Sequence, residues 1–260
     1  MKNILLLAAC FFVFVAGDCD PDDMPEVEET GTIQIAFRAV YGSEPLVIGT
    51  GTYPYHSDSD QTIRIGRYDL FTSDINLSGG ESERIELSEI DFFDFNISDA
   101  PTAEAGLKRT YVQVPVGEYT ALSLSVGVPS DDNDRFCTDC SDTSPLSRES
   151  HWWPGWGSYI FQKLEGQVDT NGDGVTDDLA FSYHTGTNNA YRSINLPVSV
   201  EVRENETTEL TILVNVQELF RRGDDYLDIS TDTGTHSDSD AANAMIEAVM
   251  NRYNAAFAIE

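Results

Sequence analysis

Positive charge is scarce in this chain: 15 lysines and arginines stand against 45 aspartates and glutamates, a formal charge of −30. So acidic a surface repels phosphate backbones and anionic headgroups, which excludes nucleic acid as a partner. It attracts cations and favours solubility. Cysteine and histidine are also sparse, with four of each in 260 residues. The sequence has no Ser nucleophile elbow, no phosphate-binding glycine loop and no tandem metalloprotease histidines, so no enzyme activity is expected. Carboxylate pairs are too numerous here to single any out. What the chain does have is a 40% apolar share, enough to bury a core and to exclude general disorder.

The N-terminus carries a targeting pattern. Lys2 precedes an apolar run from Ile4 to Ala16, and acidic residues begin at Asp18. The run is too short to span a bilayer and has the charge, apolar core and small-residue exit of a signal peptide over residues 1–19. Cys19, in VAGDCDPDD, competes as a lipid-attachment site with Cys10, in LLAAC, and with simple cleavage near Gly17. Cys19 is favoured by its distance from the start and the acidic stretch after it, although Asp18 occupies a position that normally holds a small residue. The expectation is an exported protein of the bacterial cell envelope, in the periplasm or on the cell surface, held to the outer membrane by a lipid anchor. Residues 20–30 are acidic, aperiodic and contain two prolines, the composition of a flexible tether. A single domain is then expected over residues 31–260. In an oxidising compartment Cys137 and Cys140 are expected to pair as a disulfide, since a zinc site would need two further ligands nearby.

Most of the body alternates apolar and polar residues. Ile33, Ile35 and Phe37 give the period of a half-buried strand. Further strands are expected at Leu46 to Tyr53, Thr62 to Leu77, Arg84 to Phe95, Thr110 to Val114 and Tyr119 to Val128. Pro115 to Glu118 is read as a hairpin turn between the last two. Ile194 to Val202 and Leu210 to Val216 are read as a second hairpin, turning at Arg203 to Thr208. Met245, Ile246, Val249, Met250, Tyr253 and Phe257 recur at helical spacing after the capping residues Ser237 to Asp240. The expected fold is all-β, an antiparallel β-sandwich with long loops and one C-terminal amphipathic helix.

Unusual residues concentrate between Ser150 and Gly186. The segment Asp169 to Asp178 (DTNGDGVTDD) spaces oxygen donors as calcium requires, with side chains from Asp169, Asn171, Asp173 and Asp177 and a carbonyl from Val175. Ala180 stands where an EF-hand has its bidentate Glu, and Asp178 is the nearest substitute. A calcium-stapled loop is therefore expected, with a metal-free polar turn as the other reading. Trp152, Trp153, Trp156, Tyr159 and Phe161 are either core filler or the wall of a binding site, and a surface module holding a glycan or protein ligand through Trp152 to Tyr159 is the rival function. The histidines are His56, His151, His184 and His236. No pair has helical spacing, so a site shared among them needs the fold to assemble it.

Five motifs in order resemble the MbnP-like copper-binding family: RYDLFTSDINL from Arg67, VPVGEYTALSLSVGVPSDDN from Val114, HWWPGWGSYIFQKLEG from His151, FSYHTG from Phe181, and HSDSDAANAMIEAVMNRYNAAF from His236. The resemblance implies a β-sandwich that binds copper outside the cytoplasm without being an enzyme, beside a dihaem peroxidase-like partner. It makes His184 the first candidate ligand and His236 the next. It also implies that a tryptophan near the metal is oxidised to kynurenine, with Trp153 ahead of Trp152 and Trp156. Two departures stand out. Asn133-Asp134 occurs where the family loop often reads Asn-His, and Ser158 replaces a glycine, so His56 or His151 would have to supply the missing ligand.

Overall fold

The computed structural model describes residues 29–56, 60–79, 82–222, 225–235 and 240–260. Cys10, Cys19, His236, the capping residues Ser237 to Ser239 and all of the tether except its end lie outside them. The principal strands are β1 (Thr30–Tyr41), β2 (Thr62–Gly79), β3 (Ser82–Asp94), β4 (Leu107–Pro115), β5 (Gly117–Val126), β6 (Ser158–Asp169), β7 (Leu179–Gly186), β8 (Arg192–Val202), β9 (Thr207–Asn215) and β10 (Phe257–Ile259). The longest helix among the described residues, α1 (Asp240–Met250), follows β9. Among the described residues no helix is long and apolar enough to cross a membrane.

Two sheets face each other. The first runs β10-β9-β1-β4, the second β7-β6-β2-β5-β8 with β3 also on β2. In β1 every second residue from Gly31 to Ala39 is buried, because successive side chains of a strand point to opposite faces and only one face meets the partner sheet. Ile33, Ile35 and Phe37 thus enter a core shared with Tyr68, Leu70, Leu122, Leu124, Phe161 and Leu164. β2 is long enough, at 18 residues, to serve two neighbours. Its first half pairs with β6 and its second half with β5.

Both expected hairpins are absent. β4 belongs to the first sheet and β5 to the second, and β8 and β9 are divided likewise. Pro115 to Gly117 and Arg203 to Glu206 carry the chain from one layer to the other. Strict alternation says that a strand has one apolar face, which a crossing serves as well as a hairpin does. β9 instead runs parallel to β1, from Thr32↔Thr207 to Val40↔Asn215, so the sandwich is mixed. The strand expected over Leu46 to Tyr53 reduces to two short pairings, Glu44–Pro45 and Tyr53–Pro54. Between them Gly49 takes φ +77°, which turns the chain at a position suited to glycine. The C-terminal helix ends at Met250. Tyr253 belongs to a separate helical turn, and Phe257 opens β10, which pairs with β9.

Candidate metal centre

β2, β6 and β7 lie side by side, and their register stacks polar residues on the face turned away from the core. One row is His184↔Lys163↔Asp69, the next Ser182↔Glu165↔Arg67. Residues paired across strands share a face, and long side chains also reach diagonal neighbours. His184 uses that diagonal: its Nε2 lies 2.6 Å from Glu165 Oε1.

The other end of the ladder is closed over. Asp69, only 1% exposed, accepts a hydrogen bond from Arg67 Nε at 2.6 Å through Oδ2 and meets His151 Nε2 at 2.7 Å through Oδ1. Lys163 donates from Nζ to Ser150 O at 2.6 Å. These two contacts clamp the segment before the tryptophans onto the sheet. Burial alone would raise the Asp69 pKa, but the hydrogen bonds and charges of His151 and Arg67 outweigh it and hold the carboxyl below its ordinary range. For His151 burial wins over the attraction of Asp69, and its pKa is lowered. Its Nδ1 is 3.1 Å from Ser150 Oγ, and its ring packs edge to face with Phe92 and Phe71. A metal at His151 would have to displace Asp69 or Ser150.

His56 stands in an aromatic stack, its ring 4.4 Å from that of Tyr226 and 13° from parallel. His236 is outside the described residues, but Thr235, its neighbour in sequence, donates from Oγ1 to His184 O and from its amide to Ser182 O. Among the described residues no three His, Cys, Asp or Glu side chains form a group that could hold a metal ion.

The carboxylates of the acidic loop turn toward its own backbone. Asp169 accepts the amides of Gly172 and Gly174 at 2.7 and 2.8 Å. Asp178 accepts those of Thr170 and Asn171 at 2.8 and 3.0 Å. Asn171 Oδ1 takes the amide of Asp173, and Asp173 Oδ1 that of Val175. Val175 itself is exposed. Asp177 adds its amide to the turn, donating to Val175 O. These bonds close the turn by backbone satisfaction alone.

The tryptophans are packed to different depths. Trp152 meets Tyr159 edge to face at 5.2 Å and also touches Phe136. Trp156 lies over the end of β7, where a Cβ on Gly186 would come within 3.0 Å of its ring. Trp153, 41% exposed, packs beside Trp156 at 6.1 Å. Nearby, Cys137 and Cys140 are joined by a disulfide, and Tyr159 Oη receives the Cys137 amide and donates to Leu146 O.

Neither Asp69 nor Glu165 stood out in the sequence, where acidic residues are everywhere. The available signal was context. Asp69 sits in YDLF and Lys163 in IFQKL, and a charge inside an apolar strand must find a partner.

A mixed two-sheet sandwich with its tryptophan segment pinned across one sheet is the class of all-β fold to which the motifs pointed. The MbnP family model matches residues 30–243, and the chain belongs to that family. The solved structure of MbnP from Methylosinus trichosporium is similar to it, with 12% sequence identity, 74% of this chain and 78% of that chain covered, and a TM-score of 0.50. At that identity the likeness concerns the fold. No curated protein sequence matches the chain.

Proposed function

We propose that this protein is an exported, lipid-anchored copper-binding protein of the cell envelope, without enzymatic activity. Copper is held at His184 with His236, and a dihaem peroxidase-like protein is its partner. The observation that carries this reading is the Glu165–His184 pair at 2.6 Å on the strand whose edge is bonded by Thr235. Imidazole suits copper, and a ligating histidine commonly gives its other ring nitrogen to a carboxylate. His151, enclosed at both nitrogens, fits a copper site less well, and His56 would have to leave its stack on Tyr226. Copper supplies redox or storage chemistry when bound; His184 and Glu165 orient the donor. The Asp169 to Asp178 loop binds calcium as a surface staple.

The test is elemental mass spectrometry of the lipid-free exported protein after copper loading and washing. About one copper per chain is expected on a stoichiometric site, and His184→Ala should abolish it. Copper content unchanged in that variant would sink the assignment. The exposure of Trp153 supports the rival reading, a glycan- or protein-binding module. Copper-free protein whose tryptophan fluorescence responds to such a ligand would favour it.

A further inference from the structure

We propose that Ser150 is a nucleophile primed for covalent modification by activated acyl or phosphonyl donors, with His151 as its base and Asp69 as the residue that positions the imidazole. The three side chains stand in line. Ser150 Oγ lies 3.1 Å from His151 Nδ1, and His151 Nε2 lies 2.7 Å from Asp69 Oδ1. The proposal is separate from the copper reading and needs no metal.

The proton inventory fixes the direction of both bonds. Burial would raise the Asp69 pKa, but the hydrogen bonds and charges of His151 and Arg67 hold it low, so the carboxylate is ionised near neutrality and can only accept. His151 Nε2 therefore carries the hydrogen. Burial lowers the pKa of the imidazole, so above about pH 6.5 the ring is neutral and Nδ1 keeps its lone pair. The Ser150 hydroxyl is then the donor, its proton aimed at a base that an ionised carboxylate orients. That is the relation of an activated serine, which is recognised by geometry and role and not by order in the chain.

Exposure divides the line as a nucleophile requires. Asp69 and His151 are buried, while Ser150 is exposed, so the hydroxyl meets a reagent from solvent and its base stays dry. Lys163 Nζ donates to Ser150 O at 2.6 Å, and Arg148 lies over the Phe92 ring against which the imidazole packs. Both cations favour the negative charge that develops on an attacked acyl or phosphonyl oxygen. In the step itself Ser150 Oγ attacks the electrophilic carbon or phosphorus. The new bond to Oγ forms as the bond to the leaving group breaks, the hydroxyl proton passes to His151 Nδ1, and the leaving group departs with the electron pair of its bond. The product is one covalent adduct per chain.

The test is labelling of the lipid-free exported protein with an alkyl fluorophosphonate at about pH 8, above the ordinary histidine pKa. Intact mass and peptide mapping should find one adduct, on Ser150, and Ser150→Ala should remove it. His151→Gln keeps an amide that can donate to Asp69 but cannot take the proton, and it should slow labelling about 100-fold with circular dichroism unchanged. Wild-type chain unfolded in urea keeps the same serine without the line, and there Ser150 should react slower by at least about the same factor. That comparison decides the matter if His151→Gln fails to fold. Folded wild-type protein with no adduct at Ser150 overturns the proposal. So does labelling of Ser150 that is as fast in urea, or in folded His151→Gln, as in the folded wild type.

Discussion

His151 and Asp69 lie 82 positions apart in the chain and meet at 2.7 Å, with 2% and 1% of their surfaces exposed. The pair closes a buried polar cluster with Arg67, Lys163 and Ser150, and through it the tryptophan segment is pinned to the sheet. Removing Asp69 leaves the buried His151 Nε2 without its acceptor. Asp69→Ala is expected to cost about 1–3 kcal/mol, read as a lower denaturant midpoint. Tryptophan emission should shift red as the 148–156 segment loosens.

The same cluster predicts how stability varies with pH. The folded-state pKa of His151 is lowered from 6.5, so the unfolded chain binds the proton first and stability declines as pH falls through and below 6.5. The pKa of Asp69 is lowered from 3.8, so its contribution, present above 3.8, is lost as pH falls through the folded value. Acid titration of the unfolding free energy should therefore show a mild decline beginning near neutrality and a steeper one in strong acid. In His151→Gln the first decline should disappear; a decline that persists assigns it to another group.

Gly186 is a steric prediction. A Cβ there would lie 2.6 Å from Tyr159 O and 3.0 Å from the Trp156 ring. The backbone oxygen cannot swing aside, so Gly186→Ala should destabilise by about 1–3 kcal/mol and displace Trp156. Thermal unfolding and near-UV circular dichroism check the two effects.

The acidic loop should fold without metal, because Asp169 and Asp178 already satisfy four of its backbone amides. A chelator should leave the far-UV spectrum unchanged. Added calcium should raise Tm by mass action, and Asp173→Ala should remove that rise. Asp169→Ala, which orphans two amides, should cost about 1–3 kcal/mol with or without calcium.

The Cys137–Cys140 disulfide closes a loop with a sequence separation of three. Because the entropy removed from the unfolded chain grows with loop length, reduction should cost only about 2 kcal/mol. Differential scanning calorimetry with and without reductant measures this, and a collapse of the fold on reduction would contradict it.

Much of the strand content was legible because β1, β8 and β9 alternate strictly and each needs one buried face. Which strand each one pairs with was not. The segments around Pro115 and Arg203 have turn composition, and a crossing between sheets uses the same residues as a hairpin. At the candidate centre, His184 was legible through the FSYHTG motif. Glu165 and Asp69 were two carboxylates among 45, and only register brought them to the histidines.

By itself, then, the sequence determined the all-β class, the acidic surface, the terminal helix and the family, since these follow from composition, period and motif order. The tertiary structure alone decided that β1 and β9 run parallel, that His151 is enclosed, and that His184 points its Nε2 at Glu165. The physical reason is that alternation specifies a face, while hydrogen-bonded neighbours and ion-pair partners come from residues far apart in sequence, brought together by the sheets.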